Sequence, residues 1–245
     1  MYDFHKYEIQ DKPFKFVTLS FDDCVTQDIR FTELLKKYGL SCCTFNLNSA
    51  QFGWEDVLEY PSFRVNHFHV KPEDVRSVYE GFEVASHSRT HPRLDLLDRE
   101  HLIEEVAGDA KTLNEMTGQP IIGMAYPGGP YYTDETIAVI RETTDIIYAR
   151  DSNATYGFDL PAKDELMKWQ PTCHITDERI DEVLDNFKNT DTGDDMLLYL
   201  WGHTYEFDIW KTWDKVEEIL KTLSEMDGVT YATNGEIADY IVRNK

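Results

Sequence analysis

Two aspartates, Asp22 and Asp23, stand side by side at the end of the apolar run Lys15-Phe16-Val17-Thr18-Leu19-Ser20-Phe21. Adjacent carboxylates repel, and taking them out of water without a counter-charge is costly. A bound cation is the simplest offset. Further along, His87-Ser88-Arg89-Thr90-His91 sets two imidazoles four residues apart. On one helical turn, or on a loop folded like one, both rings can face the same point. Two His nitrogens and one Asp oxygen leave an open position on a divalent ion, the pattern of a catalytic site rather than a structural one. Zinc fits these ligands, as do cobalt and nickel. One aspartate can then ligate while the other takes a proton from water whose pKa the metal lowers toward ~7. Alone, the doublet reads as a helix N-cap followed by a first-turn acid. Alone, the histidine pair reads as surface or core. Together they favour the metal.

The elements that must position these groups follow from periodicity. Residues 15–21 alternate and are β-branched, a strand ending at Asp22. Phe31, Leu34, Leu35 and Tyr38 form one helical face, stopped by Gly39, and Cys42–Leu47 is a second strand. This βαβ unit predicts a parallel sheet. Residues 49–70 read as an irregular surface insertion carrying His67 and His69, either a solvated hairpin or part of a cleft wall. A third strand, Phe82–Ala85, runs into His87. A helix capped by Asp98 and ended by Gly118 precedes a fourth strand, Ile121–Ala125, and the tight segment Tyr126-Pro127-Gly128-Gly129-Pro130. A fifth strand, Ile146–Ala149, meets Arg150. Residues 150–173 show no clear pattern. The apolar strand Met196–Trp201 ends at Gly202-His203, Val229–Ala232 is the last strand, and Asn234 is expected to cap the terminal helix.

Seven or eight parallel strands alternating with helices, without a break in composition, predict one domain over residues 1–245. A complete or incomplete barrel suits this order, with an open doubly wound sheet as the alternative. Either way ligands bind at the carboxyl ends of the strands, where the acids, His87, His91, Arg150 and His203 all fall. A lone histidine after an apolar strand is ordinarily a buried structural one. At this edge His203 also suits a general acid for a leaving amine.

The net charge of −22 argues against a nucleic-acid partner. A neutral or cationic substrate suits that field better, although much of the excess acid reads as solvated helix surface. The start, Met1-Tyr2-Asp3-Phe4-His5-Lys6, is followed by no apolar run, and no segment is long enough to span a membrane, so a cytoplasmic location is expected. The four cysteines (Cys24, Cys42, Cys43 and Cys173) form no CxxC pair and are expected to be reduced and buried.

These residues resemble the polysaccharide deacetylase family, carbohydrate esterase family four. Ser20-Phe21-Asp22-Asp23 is similar to its first motif and His87-Ser88-Arg89-Thr90-His91 to its second. Tyr126-Pro127-Gly128-Gly129 partly resembles the third, and Trp201-Gly202-His203 the fifth. The resemblance implies a deformed (β/α) barrel that removes N-acetyl groups from amino sugars. It implies that Asp23, His87 and His91 hold the metal, that Asp22 is the general base and that His203 protonates the leaving amine. It places the backbone N–H of Gly128 at the oxyanion, with Tyr126 and Pro127 beside it. Two departures stand out. The arginine that opens the family's third motif is Ala125 here, and Arg150, otherwise a surface arginine, is expected to supply the guanidinium. The family's fourth motif, an Asp near a Trp, could be Asp151, or Asp164 with Trp169. Trp169-Gln170-Pro171-Thr172-Cys173-His174 reads as a pocket wall, with Trp169 stacking on a sugar or packing in the core. The expected substrate is an N-acetylated sugar or another small amide. Hydrolysis of a non-sugar C–N bond, such as a cyclic ureide or imide, is a second reading, and a non-catalytic carbohydrate- or metal-binding module a third.

Overall fold

The computed structural model describes residues 6–8, 10 and 12–245. Residues Met1–His5, which belong to the start read above as carrying no apolar leader, lie outside the described residues.

Strand β1 (Lys15–Asp22) is buried continuously from Phe16 onward, as a strand covered on both faces must be. The chain continues through α1 (Gln27–Lys37) to β2 (Cys43–Leu47), through β3 (Glu55–Tyr60), β4 (Phe63–Phe68) and α2 (Val75–Val78) to β5 (Glu83–Ser86). Helices α3 (Arg99–Ile103) and α4 (Asp109–Thr117), joined by one π turn, lead to β6 (Gly123–Ala125), and α5 (Asp134–Thr143) leads to β7 (Tyr148–Arg150). The remainder is β8 (Cys173–His174), α6 (Ile180–Asn189), β9 (Met196–Gly202), α7 (Glu206–Ile209), α8 (Trp213–Ser224), β10 (Thr230–Tyr231) and α9 (Asn234–Asn244).

The main sheet is parallel, in the order β7-β6-β5-β2-β1-β9-β8. β10 takes the Phe16–Val17 stretch of β1, and β2 takes Leu19–Asp22. The end strands β7 and β8 do not pair with each other. The segment between them links the two ends instead. Trp169 N donates to Ala149 O at 3.0 Å, and Thr172 N donates to Tyr199 O at 2.8 Å. The result is a curled sheet, the incomplete barrel expected from the strand count and the deformed (β/α) barrel that the family resemblance implies.

Inside the barrel lies a polar plug rather than oil. Glu83 of β5 accepts from Thr44 Oγ1 at 2.7 Å, from Tyr148 Oη at 2.9 Å and from the backbone N–H of Gly235 at 2.9 Å. Buried polar groups persist only when partnered in this way. Asn234 inserts beside them, taking a hydrogen bond from Thr18 Oγ1 at 2.8 Å. Its side chain is therefore not free to cap α9. The cap is Thr233, which forms a capping box with Glu236, so the expectation for Asn234 is shifted by one residue. Gly123 is required by close approach, since an added Cβ would sit 1.9 Å from Tyr148 Cζ. Asp98 does cap its helix, accepting from His101 N at 3.0 Å.

The 49–70 insertion contains an antiparallel hairpin, β3–β4, with Tyr60 opposite Phe63 and Asp56 opposite His67. Of its strand residues only Val65 is buried, so little apolar alternation marks it in the sequence. All four cysteines are free and buried. Among the described residues no helix is long and apolar enough to cross a membrane.

Candidate metal centre

Side chains at successive strand positions point to opposite faces. Asp22 and Asp23 nevertheless reach one cleft, because the chain turns left-handed at Asp23 (φ 79°) and Cys24 (φ 47°) directly after β1. The loop after β5 does the same at Ser88 (φ 60°) and His91 (φ 62°). Such backbone is costly away from glycine and concentrates where a site requires it. Asn48 holds this second loop, its Nδ2 donating to the carbonyl oxygens of His87 at 2.6 Å and Ser88 at 2.9 Å.

Asp23 Oδ1 lies 3.5 Å from His87 Nε2 and 3.6 Å from His91 Nε2. The three ligand atoms fall within 4.8 Å of one another. His87 Nδ1 is 2.9 Å from Ala125 O. A carbonyl only accepts, so Nδ1 carries the proton and Nε2 turns its lone pair toward Asp23. Burial pushes His87 down to about 4 against the pull of Asp22 and Asp23, which keeps the ring neutral. Burial opposes ionisation of Asp23 too. His67, His203, His87 and His91 override it and hold the carboxyl far below the usual range. Two imidazoles and one carboxylate are the donor set that zinc and its neighbours take, and the residues fit a divalent cation.

Asp22 has a different surrounding. Arg150, 1 % exposed, places Nη2 at 2.5 Å from both Asp22 oxygens. Asn46 Nδ2 donates to Asp22 Oδ1 at 2.8 Å. Despite burial, Arg150 with His87 and His203 lowers the Asp22 pKa. The expected guanidinium thus comes from the end of β7. Its carbon stacks 4.7 Å from the centroid of Trp201.

His203 follows β9. Its Nε2 lies 3.9 Å from Asp22 Oδ2 and 3.8 Å from Asp23 Oδ2, and its Nδ1 lies 3.4 Å from Glu206 Oε1. Burial would lower this imidazole, but Glu206 and the two aspartates raise it to about 9. Gly128 (φ 69°) and Tyr126 line the same cleft of about 260 Å³, with Pro127 joining them.

Two expected wall residues lie elsewhere. Trp169 is core, edge-on to Tyr148 and Tyr199 with centroids 5.6 and 5.0 Å away. Its main chain is what bridges β7 to the segment before β8, and that fixes the ring inward. His174 sits behind His203, with Nε2 at 2.9 Å from Glu206 Oε2. Of the acids considered for the fourth motif, Asp164 is exposed, and Asp151 is engaged by Asn153 N at 2.8 Å and Tyr132 Oη at 3.3 Å. The carboxylate beside His203 is Glu206, in the first turn of α7. Its spacing, three residues after His203, was the available signal. His67 and Tyr205 also belong to the site. His67 Nε2 is 3.9 Å from Asp23 Oδ2, and Tyr205 lies between His67 and His203, edge-on to the first at 4.7 Å and tilted against the second at 5.3 Å.

The fold and this cluster define a deformed (β/α) barrel with a candidate divalent-metal centre at the carboxyl ends of its strands. The polysaccharide deacetylase family model matches residues 9–144, more than half of the chain, and the chain belongs to that family. The family is one of metal-dependent deacetylases, and pseudoenzymes occur among its relatives. The structure is similar to the Xyl-CE4 domain of a multidomain xylanase from the hindgut metagenome of Trinervitermes trinervoides (TM-score 0.57, 15% identity, 91% of this chain and 89% of that one). It is similar to a CE4 family pseudoenzyme from Bacillus anthracis (TM-score 0.56, 16% identity, 93% and 66%). It also resembles a polysaccharide deacetylase from Bacillus cereus (TM-score 0.50, 19% identity, 62% of this chain), of which it spans 45% of the length. At these identities the likeness concerns the fold. No curated protein sequence matches the chain.

Proposed function

We propose that this protein is a metal-dependent hydrolase that removes N-acetyl groups from an amino sugar or oligosaccharide. The observation that carries the reading is the cluster of Asp23, His87 and His91 with Asp22 and His203 on one cleft. A divalent cation held by Asp23, His87 and His91 would supply Lewis acidity at the acetamide. The chain's own groups do the rest. Asp22, fixed by Arg150 and Asn46, takes a proton from the water that adds to the acetamide carbon. The backbone N–H of Gly128 is assigned to the oxyanion formed as the C=O bond opens. His203 delivers its Nε2 proton to the sugar nitrogen as the C–N bond breaks, giving acetate and a free amine. Trp201, on the cleft wall, offers a flat face for the pyranose.

The test is acetate release from N-acetylglucosamine oligomers by protein loaded in turn with zinc, cobalt and nickel. Asp22→Asn should lower kcat by about 10²- to 10⁴-fold. Unchanged release in Asp22→Asn removes the base assignment. No acetate from any loaded form removes the reading, and ring opening of a cyclic ureide or imide offered in place of the sugar, seen as a new carboxylate, points instead to the non-sugar C–N hydrolase.

A further inference from the structure

Behind His203 runs a chain of polar contacts that the reaction above does not use. His174 is on β8, in register with Trp201 of β9. The backbone N–H of Thr176 donates to His174 Nδ1 at 3.2 Å, and Thr176 Oγ1 lies 2.8 Å from the same nitrogen. A backbone N–H can only donate, so Nδ1 is an acceptor and the neutral ring carries its hydrogen on Nε2. That Nε2 lies 2.9 Å from Glu206 Oε2, while Glu206 Oε1 lies 3.4 Å from His203 Nδ1. His174 Nε2, Glu206 Oε2 and His203 Nδ1 are buried and make no aligned hydrogen bond, so the close ion-pair contacts with Glu206 are what His174 Nε2 and His203 Nδ1 have. Trp201 stands edge-on to both rings, with centroids 4.9 Å from His174 and 5.4 Å from His203. Gly202 allows the approach, since a Cβ there would meet His174 Nε2 at 3.1 Å.

The same three residues have ligand atoms within 4.8 Å of one another, as a second cation site would. The tautomer argues against it. A nitrogen that carries hydrogen has no lone pair to give, and Thr176 assigns the hydrogen of His174 to the atom that would have to ligate.

We propose that His174 is a positioning residue that acts on His203 through Glu206. Its Nε2–H holds one carboxylate oxygen, the other takes the Nδ1–H of His203, and the exchangeable proton of His203 is thereby confined to Nε2, the nitrogen facing the cleft. The proposal rests on His203 being the acid of the reaction proposed above.

The test uses the metal-loaded full chain. His174→Leu removes the donor, and His174→Gln places an amide N–H near the lost Nε2. We expect His174→Leu to lower kcat for acetate release by about 10- to 100-fold with KM within about twofold, and His174→Gln to recover most of it, as an orienting partner one step from the reacting group should. Nitrogen-15 spectra of the imidazoles should show His174 in the wild type as the Nε2–H form and His203 with Nδ1 protonated. Zinc titration should give the same stoichiometry for the wild type and both variants. Unchanged kcat in His174→Leu, equal losses in Leu and Gln, an Nδ1–H form of His174, or a second zinc lost on substitution would each overturn the proposal. The spectra and the titration need no turnover. A wild type that releases no acetate yet shows these tautomers therefore counts against the deacetylase reading and not against the contacts assigned to His174.

Discussion

Arg150 and Asp22 form the ion pair on which the site's chemistry depends, and both are almost fully buried. Ala125 and Arg150 are register partners on the parallel strands β6 and β7. Paired residues on neighbouring strands project from the same face. A guanidinium rooted at 150 can therefore occupy the space that one rooted at 125 would fill, and Ala125 leaves room for it. Arg150→Met should cost about 3–5 kcal/mol in urea unfolding, because Asp22 is then a buried charge without its partner. Acetate release should fall with it. Adding Ala125→Arg to that variant should return a substantial part of both losses. If Arg150→Met unfolds at the wild-type midpoint, the pair is not what fixes Asp22. This relation was only half legible in the sequence. Arg150 could be singled out as a cation at a strand end, and the resemblance gave the base Asp22 as its partner, but the register that brings the two together is not revealed by the pattern of residues 123–125 and 148–150. Glu206 was missed for a related reason. Its importance comes from what stands behind it, His174, which the sequence presented as pocket wall.

At the scale of elements, legibility followed burial. β1, β2 and β9 are buried through nearly their whole length and read as apolar runs. α1 buries one stripe, with Phe31 and Leu35 on it, and reads by period. The hairpin β3–β4 buries little, and the closing segment near Trp169 pairs by single bridges, so neither leaves a periodic signal. One buried acid ties several elements together. Asp28 of α1 accepts from Tyr79 Oη, beyond α2, at 2.7 Å and from Thr204 Oγ1, next to His203, at 2.6 Å. Burial raises it to about 7, and Asp23 and Asp22 add to the rise against those two hydrogen bonds. The unfolded value is about 3.9. The folded state thus binds the proton more tightly, so this contribution is fully present below about pH 4 and is lost as pH rises through about 7. Burial raises Asp109 to about 6, with the same sign over a lower window. Between pH 5 and pH 8 the urea midpoint should therefore fall less steeply in Asp28→Asn than in the wild type, with most of the difference developing below about pH 7. Parallel pH profiles for the two proteins would show that Asp28 is ionised throughout.

Over the whole molecule the charge is −22, and the cluster adds a carboxylate doublet at the mouth of a barrel. Such a field favours the approach of a divalent cation and opposes the compact state without one. The proposed ligands come from the end of β1 and the loop after β5, which flank β2 in the sheet, so a bound cation would tie together three neighbouring strands. A ligand that binds only the folded chain stabilises it by about 2.7 kcal/mol at a hundredfold excess over Kd. In a chain of this size each kcal/mol moves Tm by about 2–4 °C. Chelation should therefore lower Tm by roughly 5–11 °C, and added zinc should restore it. The two aspartates should then separate. Asp23→Asn and His91→Gln should abolish the zinc-dependent shift, because each removes a ligand. Asp22→Asn should keep the shift while losing turnover, because its carboxylate faces Arg150 and the substrate water rather than the cation. A chelator that leaves the wild-type Tm unmoved would argue that this cluster holds no metal. A shift lost equally in Asp22→Asn and Asp23→Asn would mean that the doublet acts as one ligand pair, and the general base would then have to be sought on another strand end.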